Sequence, residues 1–218
     1  MTISAIVIVT ALISIGAFNA KDLMNKLVLN PYMVAHRKEY WRLITHGLIH
    51  KDFLHLLFNM YVLWGFGQTL GHVFSKPEMF EAQFGPNTWW GSLLGNNAFL
   101  MLYVGSIVFA ALPSMVKHKN NPGYSSLGAS GAVSAVVMAY IIIFPTQKLS
   151  LLFIPVPMPA FVMGILFFAY ETYMNRRGGT GIAHDAHLFG ALFGLIFLLI
   201  VMPGVYPRFV EQVLASFR

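Results

Sequence analysis

Apolar residues gather in six runs, at Ile3 to Phe18, Phe53 to Leu70, Leu93 to Val116, Leu127 to Phe144, Leu149 to Tyr170 and Ala186 to Met202, separated by polar connections. Each run is near the ~20 residues an α-helix needs to cross hydrocarbon. The pattern predicts an all-α membrane protein with six transmembrane helices in a single domain over residues 1–218. Pro155, Pro157 and Pro159 fall inside the fifth run, so that helix is expected to bend or to start late. The first run lacks a positively charged start and a small-residue cleavage site, so it is expected to be a retained helix rather than a signal peptide.

The longest connection, Asn19 to Asp52, mixes Pro31, Tyr32, Trp41 and Arg42 with His46 and His50. Aromatic, cationic and apolar residues together are what a segment half-immersed among headgroups requires. Ser75 to Thr88, ending in Trp89-Trp90, reads as a second interfacial connection.

Composition agrees with the pattern: 57% of the 218 residues are hydrophobic and 10% charged, too apolar for a water-soluble domain of this size to keep its surface wet. With no cysteine, disulfides, thiolate metal sites and cysteine nucleophiles are excluded. The net charge of +6 comes from basic residues scattered through loops, which fits contact with anionic membrane lipids and not a nucleic-acid role.

The polar residues inside the runs carry the chemistry, because a polar group in hydrocarbon is either hydrogen-bonded or functional. The second, fourth and sixth helices all start from one membrane face. His55, Ser130 and His187 each lie about one turn into one of these helices, at a shared depth of ~5–10 Å. Ser130 is a candidate nucleophile and His187 its general base. A serine in a first helical turn is also surrounded by N–H groups without intrahelical partners, which stabilise a nearby oxyanion. Ser130 is equally at home among Gly128, Ala129, Gly131 and Ala132 as a small packing residue. His187 has the alternative of a bond to a neighbouring carbonyl, but Gly190 and Gly194 form a G-x-x-x-G that brings its helix close to another. His184 is a rival base nearer the loop, and Asp185, two residues from His187, falls on nearly the opposite face. His55 and Asn59, at i and i+4, suit either an oxyanion site or an interhelical clasp.

Taken together, Trp41-Arg42, His46-x-x-x-His50-x-x-x-x-His55-x-x-x-Asn59, Gly128-x-Ser130-Gly131 and Ala-His187-x-x-Gly190-x-x-x-Gly194 resemble the motifs of the rhomboid family of intramembrane serine proteases, over roughly Arg37 to Met202. The resemblance implies a six-helix bundle with a short central fourth helix, and Ser130 at the foot of a water-filled cavity. It implies Ser130 as nucleophile, His187 as base, and His55, Asn59 and the Ser130 N–H as oxyanion donors. It further implies cleavage of single-pass transmembrane proteins without metal or cofactor, in a multi-pass protein of a bacterial inner membrane whose active site opens to the outer face.

Two features depart from the family pattern. Some members carry tyrosine four residues after the nucleophile, stacked on the catalytic imidazole, where this chain has Ser134. The support of His187 must then come from elsewhere, with helix packing as the candidate. Ten of the 14 lysines and arginines lie on the face assigned as outer, six of them in the first connection, against the positive-inside rule. Lipid headgroups are their expected partners. Two other function classes are open: a non-catalytic binder of membrane helices, and a metal-dependent membrane enzyme or transporter using His46 with His50 and His184 with His187. The second lacks an H-E-x-x-H and has few acidic residues.

Overall fold

The computed structural model describes residues 2–76, 89–151 and 154–218, so most of the expected interfacial connection at Ser75 to Thr88 lies outside the described residues. Among the described residues, six longer helices overlap the apolar runs: α1 (Thr2–Phe18), α5 (Phe53–Phe74), α6 (Trp89–His118), α7 (Ser130–Ile143), α8 (Ala160–Arg177) and α9 (His184–Val201). By length and composition two spans among the described residues qualify as membrane-crossing, Asn97–His118 and His184–Val201, fewer than the six expected, while Thr2–Phe18 and Ser130–Ile143 are shorter apolar helices. The described structure is mostly helical without being all-α.

The exception is the fifth run. Lys148–Leu151 (β1) and Ile154–Pro159 (β2) form an antiparallel hairpin, with Lys148 opposite Pro159 and Leu149 opposite Met158. A proline at every second position removes N–H donors and disfavours helical geometry in the residue before it, so Ile154 to Pro159 stays extended. The helix begins at Ala160, once the prolines end. A second departure is α10 (Val205–Ala215), beyond the last expected run. Pro203-Gly204 interrupts the chain, and α10 then folds back, with Tyr206 and Phe209 against the core and the Tyr206 hydroxyl donating to the Leu195 carbonyl at 2.5 Å.

The centre of the bundle is α7. Ten of its 14 residues are buried, among them Gly131, Ala132, Ala135 and Ala139, and it packs against α5, α6, α8 and α9. Small side chains let these backbones approach, which replaces the hydrophobic driving force that lipid does not supply. At the crossing with α9, a Cβ on Gly194 would sit 2.5 Å from the Ala135 carbonyl oxygen.

Between α1 and α5 the first connection folds on itself as α2 (Lys21–Leu27), α3 (Pro31–Arg37), α4 (Arg42–Thr45) and a 3₁₀ turn at His46–Leu48. Asn30 caps α3 by accepting from the Met33 N–H at 3.0 Å, with Pro31 in the first helical position. Arg42 is the internal clasp of this unit. Its Nη1 donates to the Asn25 and Val28 carbonyls at 2.7 and 2.8 Å, and its Nε pairs with Glu39 at 2.6 Å. Arg42 is therefore buried and faces inward, not toward headgroups as expected; Lys21, Lys26, Arg37, Lys38 and Lys51 of the same connection are exposed.

Candidate active site

The loop that delivers Ser130 is held by the first connection. Leu29 and Ser126 exchange two backbone hydrogen bonds of 3.0 Å, the Gly128 N–H donates to the His46 carbonyl at 2.9 Å, and the Ala129 N–H donates to His50 Nε2 at 3.3 Å. Backbone donors that would be orphaned before a helix are thus satisfied at fixed points. Gly128 has φ +114°, which an L side chain rarely adopts, and a Cβ there would lie 2.7 Å from the His55 ring. Glycine is required on both counts.

His50 is fully buried and links three elements. Because Nε2 accepts from Ala129, the ring proton sits on Nδ1 and is donated to Ser14 Oγ of α1 at 2.9 Å, while that hydroxyl donates to the Leu48 carbonyl at 2.9 Å. This wiring requires a neutral ring. Burial pushes His50 down to about 3, and likewise His46 to about 4. Both values lie below the ~6.5 of an unfolded chain, so below pH 6.5 the unfolded state binds protons that the folded state excludes. Stability is full above that value and falls by about 1.4 kcal/mol per pH unit for each ring as pH drops toward the folded values. Melting temperature in detergent is expected to hold above pH 7 and fall steadily from 6.5 to 4.5. A flat profile over that range would remove the neutral-ring assignment.

Ser130 opens α7, and His187 lies in the first turn of α9. Their side chains meet at 2.8 Å between Oγ and Nε2. The approach depends on glycine: a Cβ on Gly190 would collide with the Gly131 carbonyl oxygen, and one on Gly131 would lie 2.5 Å from the Ala110 Cβ. A cavity of about 20 Å³, room for about one water molecule, is lined by Ser130, His46, Ile107 and Leu127 among others.

His55 lies against Gly128, two residues before the serine, and its Nδ1 accepts weakly from the Lys51 N–H at 3.4 Å. That acceptance leaves its proton on Nε2. Asn59 is buried and donates one amide N–H to the His55 carbonyl at 2.8 Å. Trp41 stands apart, exposed, with its indole N–H on the Lys26 carbonyl at 3.3 Å inside the first connection.

The residue that sequence reasoning missed is Glu171 of α8, buried at 6% exposure. Its Oε1 lies 3.1 Å from His187 Nδ1, and its Oε2 lies 2.6 Å from His184 Nδ1. The signal was an acidic residue directly after the fifth apolar run, a costly placement at a membrane helix that calls for a partner. Asp185 does face elsewhere, pairing with Lys117 at 2.6 Å. His184 is buried, with Nε2 on the Thr180 hydroxyl at 3.0 Å. Glu171, His184 and His187 bring three ligand atoms within 4.8 Å of one another and could hold a divalent cation, but each of those atoms already has a hydrogen-bond partner within the group. His46 and His50 are not part of this group, so the metal reading loses the pair it drew from the first connection.

A family profile of the Rhomboid domain matches residues 37–204. The chain is 27% identical over 180 residues to RHOMBOID-like protein 12, mitochondrial, of Arabidopsis thaliana, covering 82% of this chain and 51% of that protein. It is 28% identical over 161 residues to Rhomboid protein 1, mitochondrial, of Saccharomyces cerevisiae (71% and 40%). It is 30% identical over 150 residues to the human Presenilin-associated rhomboid-like protein, mitochondrial (67% and 34%). The chain thus spans between about a third and a half of the length of these relatives. Their names overturn the expectation of a bacterial inner membrane. The physical reason is that spanning helices answer to hydrocarbon thickness, which differs little between such membranes, so the core carries no address.

Proposed function

The chain belongs to the rhomboid family, and from that premise we propose that it is an intramembrane serine endopeptidase, a bundle of six spanning helices that cuts peptide bonds in or near transmembrane segments of single-pass membrane proteins. The observation that carries this reading is the 2.8 Å contact of Ser130 Oγ with His187 Nε2, between the first turns of two packed helices. His187 takes the hydroxyl proton as Oγ bonds to the scissile carbonyl carbon, and the carbonyl π electrons move onto oxygen. The Ser130 backbone N–H and the side chains of His55 and Asn59 stabilise that oxyanion. The C–N bond then breaks as His187 returns the proton to the leaving amine. A water then bonds to the acyl carbon as the same nitrogen takes its proton, and the acyl–Oγ bond breaks as that proton passes back to Ser130. We place the protein in a mitochondrial membrane, on the names of its relatives.

A fluorophosphonate probe tests the nucleophile. Labelling of the purified chain, absent in Ser130→Ala, is the expected result, and labelling that persists in the variant assigns the reactive group elsewhere. The oxyanion role has its own test. His55→Ala and Asn59→Ala are expected to lower kcat by ~10²–10³ each, with the Ser130 N–H as residual donor. A clasp role would instead lower melting temperature and leave turnover per folded molecule intact.

A further inference from the structure

We propose that Glu171 is a positioning residue for the dyad, its carboxylate holding the His187 imidazole in the tautomer and rotation that aim Nε2 at Ser130, with His184 and Thr180 holding the carboxylate in turn. This rests on the protease reading above and deepens it. Among the described residues no aromatic ring takes the place left by Ser134: that hydroxyl donates to the Ser130 carbonyl at 2.9 Å, and the ring beside His187 is His184, edge-on at 6.0 Å. Something else must stop the imidazole from turning.

The hydrogen bonds supply it, and the carboxylate, which can only accept, sets their direction. The Ile182 N–H donates to Thr180 Oγ1 at 3.2 Å, and the threonine hydroxyl donates to His184 Nε2 at 3.0 Å. The ionised Glu171 carboxylate accepts His184 Nδ1–H at Oε2, 2.6 Å away, and that leaves Nε2 of the neutral ring to accept from the threonine. The other carboxylate oxygen accepts from His187 Nδ1–H at 3.1 Å, which leaves the Nε2 lone pair for the Ser130 O–H at 2.8 Å. Every proton is used once, and the serine end of the relay is the base-competent tautomer. In the opposite tautomer Nε2 would carry the proton and have no lone pair with which to accept the serine's.

Charge supports the same role. Glu171 is the buried acidic side chain among the described residues, and Lys117 pairs with Asp185 instead of with it. A buried carboxylate is costly unless its oxygens are bonded, and both are. When His187 accepts the serine proton it becomes an imidazolium, and the carboxylate 3.1 Å from Nδ1 stabilises it without taking a proton itself.

The test compares Glu171→Ala, Glu171→Gln and Glu171→Asp in the purified full chain, with kcat and KM on a transmembrane peptide substrate, melting temperature, and the ¹⁵N resonances of His187. Glu171→Ala is expected to lower kcat by ~10³–10⁴ with KM changed by less than about threefold. Glu171→Gln keeps volume but forces one imidazole to change tautomer, and is expected to lose ~10² or more in kcat. Glu171→Asp should recover part of that loss, and His184→Ala should stay within about tenfold of the parent. Wild-type His187 should be protonated at Nδ1, and in Glu171→Gln this signature should become mixed. Folded Glu171→Gln with parental kcat, or with only KM raised, overturns the proposal, and the isosteric variant serves if Glu171→Ala does not fold. Loss of turnover in EDTA with recovery on adding zinc also overturns it, since the three side chains would then be ligands. Should the wild-type chain fail to label at Ser130, the protease reading fails, and the His187 resonances still decide the positioning claim.

Discussion

Ser130→Ala and His187→Ala are each expected to cut turnover by on the order of 10⁶ while the protein remains folded, and the double variant is expected to be no worse than either alone. The non-additivity follows from the geometry. A hydroxyl without a base is a poor nucleophile, and a base 2.8 Å from an empty position has no proton to take, so removing one partner removes the function of both. Residual catalysis over water would come from oxyanion donors and binding alone. Cleavage rates for the three variants, normalised to folded protein by melting profile, check this. Additive losses would mean that the two residues act separately, and an active His187→Ala beside a dead His184→Ala would move the base to His184.

Gly190→Ala is expected to cut activity by at least ~10² through packing, without touching any group that reacts. The new methyl would meet the Gly131 carbonyl oxygen and its backbone neighbours, atoms that cannot rotate away. The helices α7 and α9 must separate, and Ser130 and His187, mounted on those two helices, separate with them. Overpacking a close-packed interior costs ~1–3 kcal/mol or more, and an error of 1 Å in a catalytic contact costs ~10² in rate. Turnover should therefore fall by at least ~10², with a lowered melting temperature. Gly204→Ala is the control, since a Cβ there meets nothing within 4 Å. Parental turnover in Gly190→Ala would show that α7 and α9 do not need their close approach.

The positions of the helices were legible because hydrocarbon imposes a strong rule on the chain: long apolar runs, and polar groups only where they are used. The serine, the histidine and their glycines stood out against that background. The hairpin was only half legible. The three prolines announced a late helix, but pairing of Leu149 with Met158 is a tertiary fact that no local signal encodes. Glu171 was hidden for a different reason. Its partners His184 and His187 are 13 and 16 residues away in another helix, and only the rotation of α8 about its axis shows that it faces them. Arg42 was misplaced outward because its carbonyl acceptors, at Asn25 and Val28, have no sequence signature.

The line from Ser14 through His50 to the Ala129 N–H starts in α1, outside the residues that match the family profile, and ends one position before the nucleophile. Modularity is therefore limited in this chain. A graft of the matched region onto a foreign first helix would leave the His50 Nδ1–H buried without an acceptor, at a cost of about 1–3 kcal/mol. That cost would fall on the loop that orients Ser130, so transplanted cores are expected to keep their activity when the incoming helix brings a hydroxyl at the position of Ser14.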